Sequence, residues 1–299
     1  MEIAPRLILV PTDFSAPAAH ALRYASALAE RSGAHLLVIY AGTFMVPVDF
    51  TASGAGTFDI PREAMIEKAR EQLEGHARQC ISAGVPYDVR VVVDGTVSAI
   101  VHQIRETGAD LIVMGTHGRT GVRRLMMGSV TEAVIRVAPV PVLAVPPRTA
   151  ETASIAKVLC PITYSPASAD ALQRAAALAG PQAAFVVVRG VHGNNLGIVF
   201  DELPRMRAWL PPELAGRCEL KLLPASAPAQ EIVAFAKEVD ADLIAVGVPA
   251  DPGIADVLRG TLVERIVQHS GCPVLTVNAS AARAVCVTPA AGVELAARW

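Results

Sequence analysis

Short apolar runs rich in β-branched residues alternate with longer segments in which small apolar residues recur at helical spacing. Strands are predicted at Arg6–Val10, His35–Tyr40, Tyr87–Val93, Leu111–Gly115 and Val140–Val145. Between the first two, Ala16–Ser32 places Ala18, Ala21, Leu22, Ala25, Leu28 and Ala29 on one helical face and stops at Gly33, a residue suited to a left-handed C-cap. Pro61–Ser82 opens on a proline and carries Ile66, Ala69, Leu73, Ala77 and Cys80 as its apolar face. Ser98–Glu106 and Val130–Val137 complete four helices. Five strands alternating with four helices predict an α/β domain with a doubly wound, open parallel sheet. Ala41–Ile60 departs from the pattern: it is longer than most connections and reads as a functional lid or an unstructured segment.

The pattern then repeats. Leu7–Ser15 (LILVPTDFS) returns as Lys157–Ser165 (KVLCPITYS), with Pro161 standing 150 residues after Pro11. ADLIVMG (Ala109–Gly115) returns as ADLIAVG (Ala241–Gly247) and PVLAV (Pro141–Val145) as PVLTV (Pro273–Val277), each after 132 residues, so the second copy is 18 residues shorter inside. Each copy has the size of one domain. The expected division is copy 1 over residues 1–147, copy 2 over 156–278 and a tail over 279–299, with a polar, Pro-led joint at Pro146–Ile155. His192–Arg217, with Pro204, Pro211 and Pro212, is where the copy 2 helix is expected to be cut short, leaving Val191–Asp201 as a loop. The Ala-rich stretch Asn278–Trp299 is expected to be an added element or disordered.

Composition narrows the class. The 299 residues include 26 basic and 28 acidic side chains, a balance that argues against a nucleic-acid partner. Hydrophobic residues reach 52% but aromatics only 4%, as expected for strands covered by Ala-rich helices. Mean hydropathy is +0.41, yet every apolar stretch is broken before the roughly 18 residues a membrane span needs, and the N-terminus reads as a strand rather than a leader. A cytoplasmic protein with no membrane partner is expected. Cys80, Cys160, Cys218, Cys272 and Cys286 form no CxxC pair and are expected to be small core residues.

In open parallel sheets ligands sit beyond the carboxyl ends of the strands at the switch point, which directs attention to the ends of the first and fourth strands. The first ends in Pro11-Thr12-Asp13-Phe14-Ser15. The fourth ends in Met114-Gly115-Thr116-His117-Gly118-Arg119, and Gly128-Ser129-Val130-Thr131 then opens a helix. Glycines that admit a close backbone approach and a helix N-terminus with unpaired amides make an anion cradle. Arg119, Arg123 and Arg124 in the same stretch suit a phosphate, although each could equally be a solvated surface charge. No Walker A loop and no GxGxxG after the first strand are present.

The spacing Gly115-x2-Gly118-x9-Gly128-Ser129 resembles the ATP-binding motif of the universal stress protein family, G-x2-G-x9-G-[S/T]. Pro-Thr-Asp after the first strand, the Met-Gly-Thr-His-Gly-Arg run and the closing Pro-Val-Leu-x-Val strand extend the likeness, which covers nearly the whole chain twice. The resemblance implies two Rossmann-like domains of the adenine nucleotide alpha hydrolase type in tandem. It implies that Asp13 contacts the adenine or ribose region with Pro11 and Thr12 lining it, that Ala41 flanks the base, and that Met114 and Gly115 approach the ribose. Gly118, Gly128, Ser129 and Val130 would hold the phosphates of ATP, with Mg²⁺ as its companion ion; His117 and Arg119 fall in the same site. The resemblance further implies association through the last strands, pairing Val140–Val145 with Pro273–Val277 as an internal pseudo-dimer, with Pro139, Pro141 and Pro273 at edge positions. Whether a homodimer forms as well is left open.

Copy 2 keeps Gly247, Gly260 and Thr261 at the places of Gly115, Gly128 and Ser129, but Thr163 replaces Asp13, Pro249 replaces His117 and Ala250 replaces Gly118. Between the motif residues copy 1 carries +3, whereas Asp251, Asp256 and Arg259 leave copy 2 at −1, which is repulsive to a polyanion. One competent nucleotide site per chain is expected. His117 is read as a turn histidine beside phosphate rather than a general acid, and Asp13 as a ligand contact rather than a base. His20, His35, His76, His102, His192 and His269 show no metal-ligand spacing and are assigned to surface or core. Ser15 and Ser165 fit N-caps. The expectation is a nucleotide-dependent stress-response module, not an enzyme; a slow Mg²⁺-dependent ATP hydrolase and a nucleotide-free interaction scaffold are the alternatives.

Overall fold

The computed structural model describes residues 4–42, 62–118, 127–191, 196–224, 228–248 and 262–278. Copy 1 runs β1 (Leu7–Pro11), α1 (Ala16–Ser32), β2 (His35–Ala41), α2 (Arg62–Cys80), β3 (Tyr87–Val92), α3 (Thr96–Thr107), β4 (Leu111–Gly115), α4 (Ser129–Val137) and β5 (Val142–Val145). Copy 2 runs β6 (Lys157–Pro161), α5 (Pro166–Ala179), β7 (Ala184–Val191), α6 (Leu196–Trp209), α7 (Pro212–Ala215), β8 (Cys218–Pro224), α8 (Pro228–Glu238), β9 (Leu243–Val248), α9 (Leu262–His269) and β10 (Val274–Asn278). Local chemistry fixes several boundaries. Ser15 accepts from the Ala18 amide at the start of α1, and Gly33, at φ 70°, closes its last turn.

Among the described residues ten strands form one sheet in the order β3-β2-β1-β4-β5-β10-β9-β6-β7-β8. Every pairing is parallel except β5 with β10, where Val274, Leu275 and Thr276 oppose Ala144, Leu143 and Val142 in antiparallel register. The strand order therefore reads alike from both ends, and each copy has its switch point where β1 meets β4 or β6 meets β9. The expected pairing of the last strands is present, but neither is a sheet edge: β5 lies between β4 and β10. Pro141 and Pro273 precede the strands, where their carbonyls accept from Ile112 and Ile244 and a missing donor costs nothing.

Two apolar layers cover the sheet and run through both copies. Leu22, Tyr24, Leu73, Leu172 and Met206 belong to the layer under α1, α2, α5 and α6. Ile100, Val134, Ile232 and Val263 belong to the layer under α3, α4, α8 and α9. The repeated Ala-Asp before β4 and β9 has a structural explanation. Asp110 accepts from the amides of Arg6 and Leu7, and Asp242 accepts from Ala156 at 2.8 Å and Lys157 at 2.9 Å, so each carboxylate clamps the start of its copy's first strand. Asp242→Ala leaves two backbone donors without that acceptor, and the expected loss is about 1–3 kcal/mol in urea unfolding. An unchanged midpoint would show that water replaces the carboxylate at no cost.

Three expectations are corrected. The copy 2 helix is shorter than its counterpart, 14 residues against 19 in α2, but Pro204 does not end it: α6 passes through Pro204 with Met206 buried in the core and stops at Trp209, before Pro211 and Pro212. Residues 196–201 of the expected loop are accordingly helical, while 192–195 lie outside the described residues. The joint between copies is packed rather than merely polar: Ala153 and Ile155 are buried, Glu151 receives Arg23 Nε at 2.6 Å and pairs with His20 Nδ1 at 3.0 Å, and the Arg31 guanidinium donates to the Ala153 carbonyl. Asn278 is not tail. It ends β10, is buried, and donates from Nδ2 to the carbonyls of Ile135 (3.0 Å) and Ala138 (2.8 Å), capping the end of α4 in the other copy. The long loop beyond Gly42 and the segment 279–299 lie outside the described residues.

Candidate functional site

The turn after β1 is built from short polar side chains that bond to their own backbone. The Thr12 amide donates to Ile39, and its Oγ1 accepts from the Phe14 amide at 3.1 Å. Asp13 Oδ1 accepts from the Ser15 amide at 2.9 Å. This geometry places Phe14 at φ 64°, unusual for a bulky residue, and its ring is held against Tyr40 at 4.8 Å and His76 at 5.4 Å. After β4 the chain turns back on itself. Thr116 bonds to Val145, the Gly128 amide donates to Thr116 O at 2.9 Å, and Thr131 Oγ1 donates to Gly115 O at 2.8 Å. His117 is held through Nδ1 by Thr116 Oγ1 at 2.8 Å.

These two turns face each other across a cavity of about 290 Å³. Eleven of the twelve expected site residues line it: Pro11, Thr12, Asp13 and Ala41 from the β1–β2 side, Met114, Gly115, His117 and Gly118 from the end of β4, and Gly128, Ser129 and Val130 from the start of α4. Arg119 lies outside the described residues, as do Arg123 and Arg124. Ala18, Thr96 and Thr131 also line the cavity and were not foreseen. Thr131 follows directly on the glycine-serine motif, a signal that was legible; Thr96 enters only because α3 begins beside the end of β2. Unlike α1 and α5, whose first amides are capped by Ser15 and Ser165, α4 has Gly128 at its N-cap and, among the described residues, no side chain that caps its first N–H groups. Among the described residues, amides without a side-chain partner and the positive end of a helix dipole thus open onto the cavity that Asp13 also lines, a polarity that suits an anion on the amides and a hydrogen-bonding group on the carboxylate.

Copy 2 handles the same place differently. Thr163, in the position of Asp13, shares hydrogen bonds with Ser165 and Ser168 at 3.1 Å each, a cluster of hydroxyls that satisfies itself. Pro249, Ala250, Asp251, Asp256, Arg259, Gly260 and Thr261 lie outside the described residues. A larger cavity of about 670 Å³ does occur in copy 2, between α8 and α9, but Asp240, Ala241, Gly271 and Cys272 set it at the starting ends of β9 and β10, away from the switch point. Cys80 and Cys160 are buried as expected, whereas Cys218 and Cys272 are half-buried at the margin of the core; burial pushes all four thiols up, away from the reactive thiolate. Among the described residues no group of three metal-ligating side chains occurs, and no helix is long and apolar enough to cross a membrane.

Comparison with known proteins adds a family to this geometry. The model of the universal stress protein family matches residues 5–146 and 223–278, the second stretch being the part of copy 2 that repeats ADLI and PVL. Universal stress protein MJ0531 of Methanocaldococcus jannaschii is 33% identical over 138 residues, covering 46% of this chain and 80% of that protein. A universal stress protein of Thermus aquaticus is 34% identical over 142 residues, covering 47% of this chain and 98% of its own length. The crystal structure of a universal stress protein from Archaeoglobus fulgidus spans 91% of this chain and 96% of its own with a TM-score of 0.66; at 19% identity it shares the fold. A match across most of the first copy and the closing part of the second, on this fold, makes the chain a member of the universal stress protein family.

Proposed function

We propose that the copy 1 cleft binds an adenine nucleotide, ATP, and that the chain is a nucleotide-dependent stress-response module of the cytoplasm with one competent site. The observation that carries this reading is the uncapped N-terminus of α4 opening onto the same cavity as Asp13. Phosphate oxygens would accept from the amides of Gly118, Ser129 and Val130, with Gly128, whose own amide is given to Thr116 O, leaving the backbone bare beside them, while Asp13 with Thr12, Pro11 and Ala41 would face the ribose and base. Asp13 is the sole carboxylate lining the described cavity, so Mg²⁺ would arrive on the phosphates rather than reside in a protein cage. The self-satisfied Thr163–Ser165–Ser168 cluster supports a silent copy 2.

Denaturing the purified chain and identifying the released small molecule by mass spectrometry tests the ligand. Calorimetric titration of the emptied protein tests the stoichiometry. The expected saturation is one nucleotide per chain; two would show that copy 2 also binds, and none would leave the scaffold reading.

A further inference from the structure

The histidine assigned to surface or core by sequence, His76, reaches the site turn from α2. Its Nε2 stands 3.3 Å from Thr12 Oγ1 and its ring meets Phe14 edge-on. Thr12 Oγ1 already accepts from the Phe14 amide, so its own proton is free for an acceptor, and a neutral imidazole unprotonated at Nε2 supplies one. Copy 2 offers an internal control. There Tyr164 takes the place of Phe14 with the same left-handed backbone, φ 59°, and Trp209 of α6 packs edge-on against it at 5.8 Å. Ile162 takes the place of Thr12. The packing of a ring from the helix onto the turn is therefore met in copy 2 by the indole of Trp209, which has no basic nitrogen to protonate, on a turn that carries an isoleucine where copy 1 has Thr12. The Thr12–His76 pair occurs in the copy that has Asp13.

We propose that His76 is a positioning residue of the copy 1 cleft: as a neutral imidazole it accepts the Thr12 hydroxyl and holds the Thr12–Asp13–Phe14 turn that presents Asp13 to the ligand, and on protonation it releases that turn. This rests on the nucleotide reading above. A doubly protonated ring turns Nε2 into a donor, so two donors converge on Thr12 Oγ1 while the hydroxyl proton loses its acceptor. The cation is also drawn toward the Asp13 carboxylate and repelled by Arg23 of α1, which is itself engaged by Glu151 and lies beside Cys80 of α2; Tyr40 of β2 packs on the other ring of the cluster, Phe14. Burial, then Arg23, hold the imidazole below its ordinary 6.5, partly opposed by Asp13. The neutral form is thus the folded one: its stabilising contribution is complete above pH 6.5 and is lost as pH falls through the lower value in the folded protein.

The test compares ATP affinity from pH 8 to pH 5 in the full chain, in His76→Phe and in His76→Gln, whose amide oxygen can accept from Thr12 without titrating. The nucleotide's own protonation is common to all three and cancels. At pH 8, His76→Phe is expected to bind about tenfold more weakly and His76→Gln to recover most of that loss; between pH 7 and pH 5 the unmodified chain is expected to weaken about tenfold more than His76→Gln. Equal affinity of His76→Phe and the unmodified chain at pH 8, or identical pH profiles of His76→Gln and the unmodified chain, would overturn the proposal. A ligand-free readout separates this from the nucleotide assignment: the backbone amide resonances of residues 12–15 are expected to move with the titration of the His76 ring. If ATP fails to bind at every pH, the nucleotide reading falls and these amides decide the role of His76. Amides that ignore its protonation would refute it.

Discussion

Gly247→Ala is expected to destabilise the chain by about 3 kcal/mol, the upper end of what overpacking a tight site ordinarily costs. An added Cβ would stand 2.5 Å from the Ala167 carbonyl carbon, 2.6 Å from the Ser168 nitrogen and 2.8 Å from the Ala167 oxygen. All three are backbone atoms in the first turn of α5, held there by the Ser165 cap and by the packing of α5 on β9, so no side-chain rotation relieves the contact. The equivalent Gly115→Ala meets Pro17 O at 3.0 Å and is expected to cost less. Chemical denaturation of the two variants checks the order. If Gly247→Ala proved the milder of the two, α5 would have to lie farther from β9 than α1 lies from β4, contrary to the structure. This contact also explains why copy 2 keeps Gly247 when it loses so much of the motif: the glycine serves the crossing of helix over strand, whatever the ligand.

The second large effect concerns affinity. Gly118→Ala is expected to weaken ATP binding by about tenfold to a hundredfold, or about 1.4–2.8 kcal/mol, while leaving the unfolding midpoint unchanged. The new methyl would stand 3.2 Å from Asp13 Oδ2, and Asp13 cannot swing freely because Oδ1 is tied to the Ser15 amide. The carboxylate is displaced within the cavity it lines, and the backbone loses the bare surface that a phosphate would approach. Gly118 does not adopt a left-handed backbone, so the substitution carries no conformational penalty to confuse the result. Calorimetry showing full affinity in a folded Gly118→Ala protein would remove Gly118 from the site.

Much of the fold was legible because its signals are local. The α1 boundaries follow from helical spacing, a serine cap and a C-terminal glycine, all within eighteen residues of one another, and the five strands of copy 1 follow from β-branched runs. The cleft was legible for a different reason. In a parallel sheet the ends of β1 and β4 are neighbours by topology, so naming those two ends and the helix start that follows β4 named ten of the cavity residues, while Ala41 at the end of β2 came only from the family resemblance. Thr96 and His76 escaped because each comes from a helix whose own sequence shows only an amphipathic face; that face's rim meets the site turn only after the helices dock.

The βαβ periodicity, the two copies and their unequal lengths, and the spacing of glycines around a helix N-terminus all follow from the order of residues along the chain. These depend on residues a few positions apart, whose geometry the backbone dictates. Tertiary structure alone decided that Asn278 caps a helix 140 residues earlier, that Ala153 and Ile155 turn the joint into core, and that α6 runs through Pro204. The joining of the two sheets through β5 and β10 was implied by the family resemblance, and the structure adds its antiparallel register. Those outcomes arise from desolvating groups distant in sequence, and a local pattern carries no record of which distant surface will exclude the water.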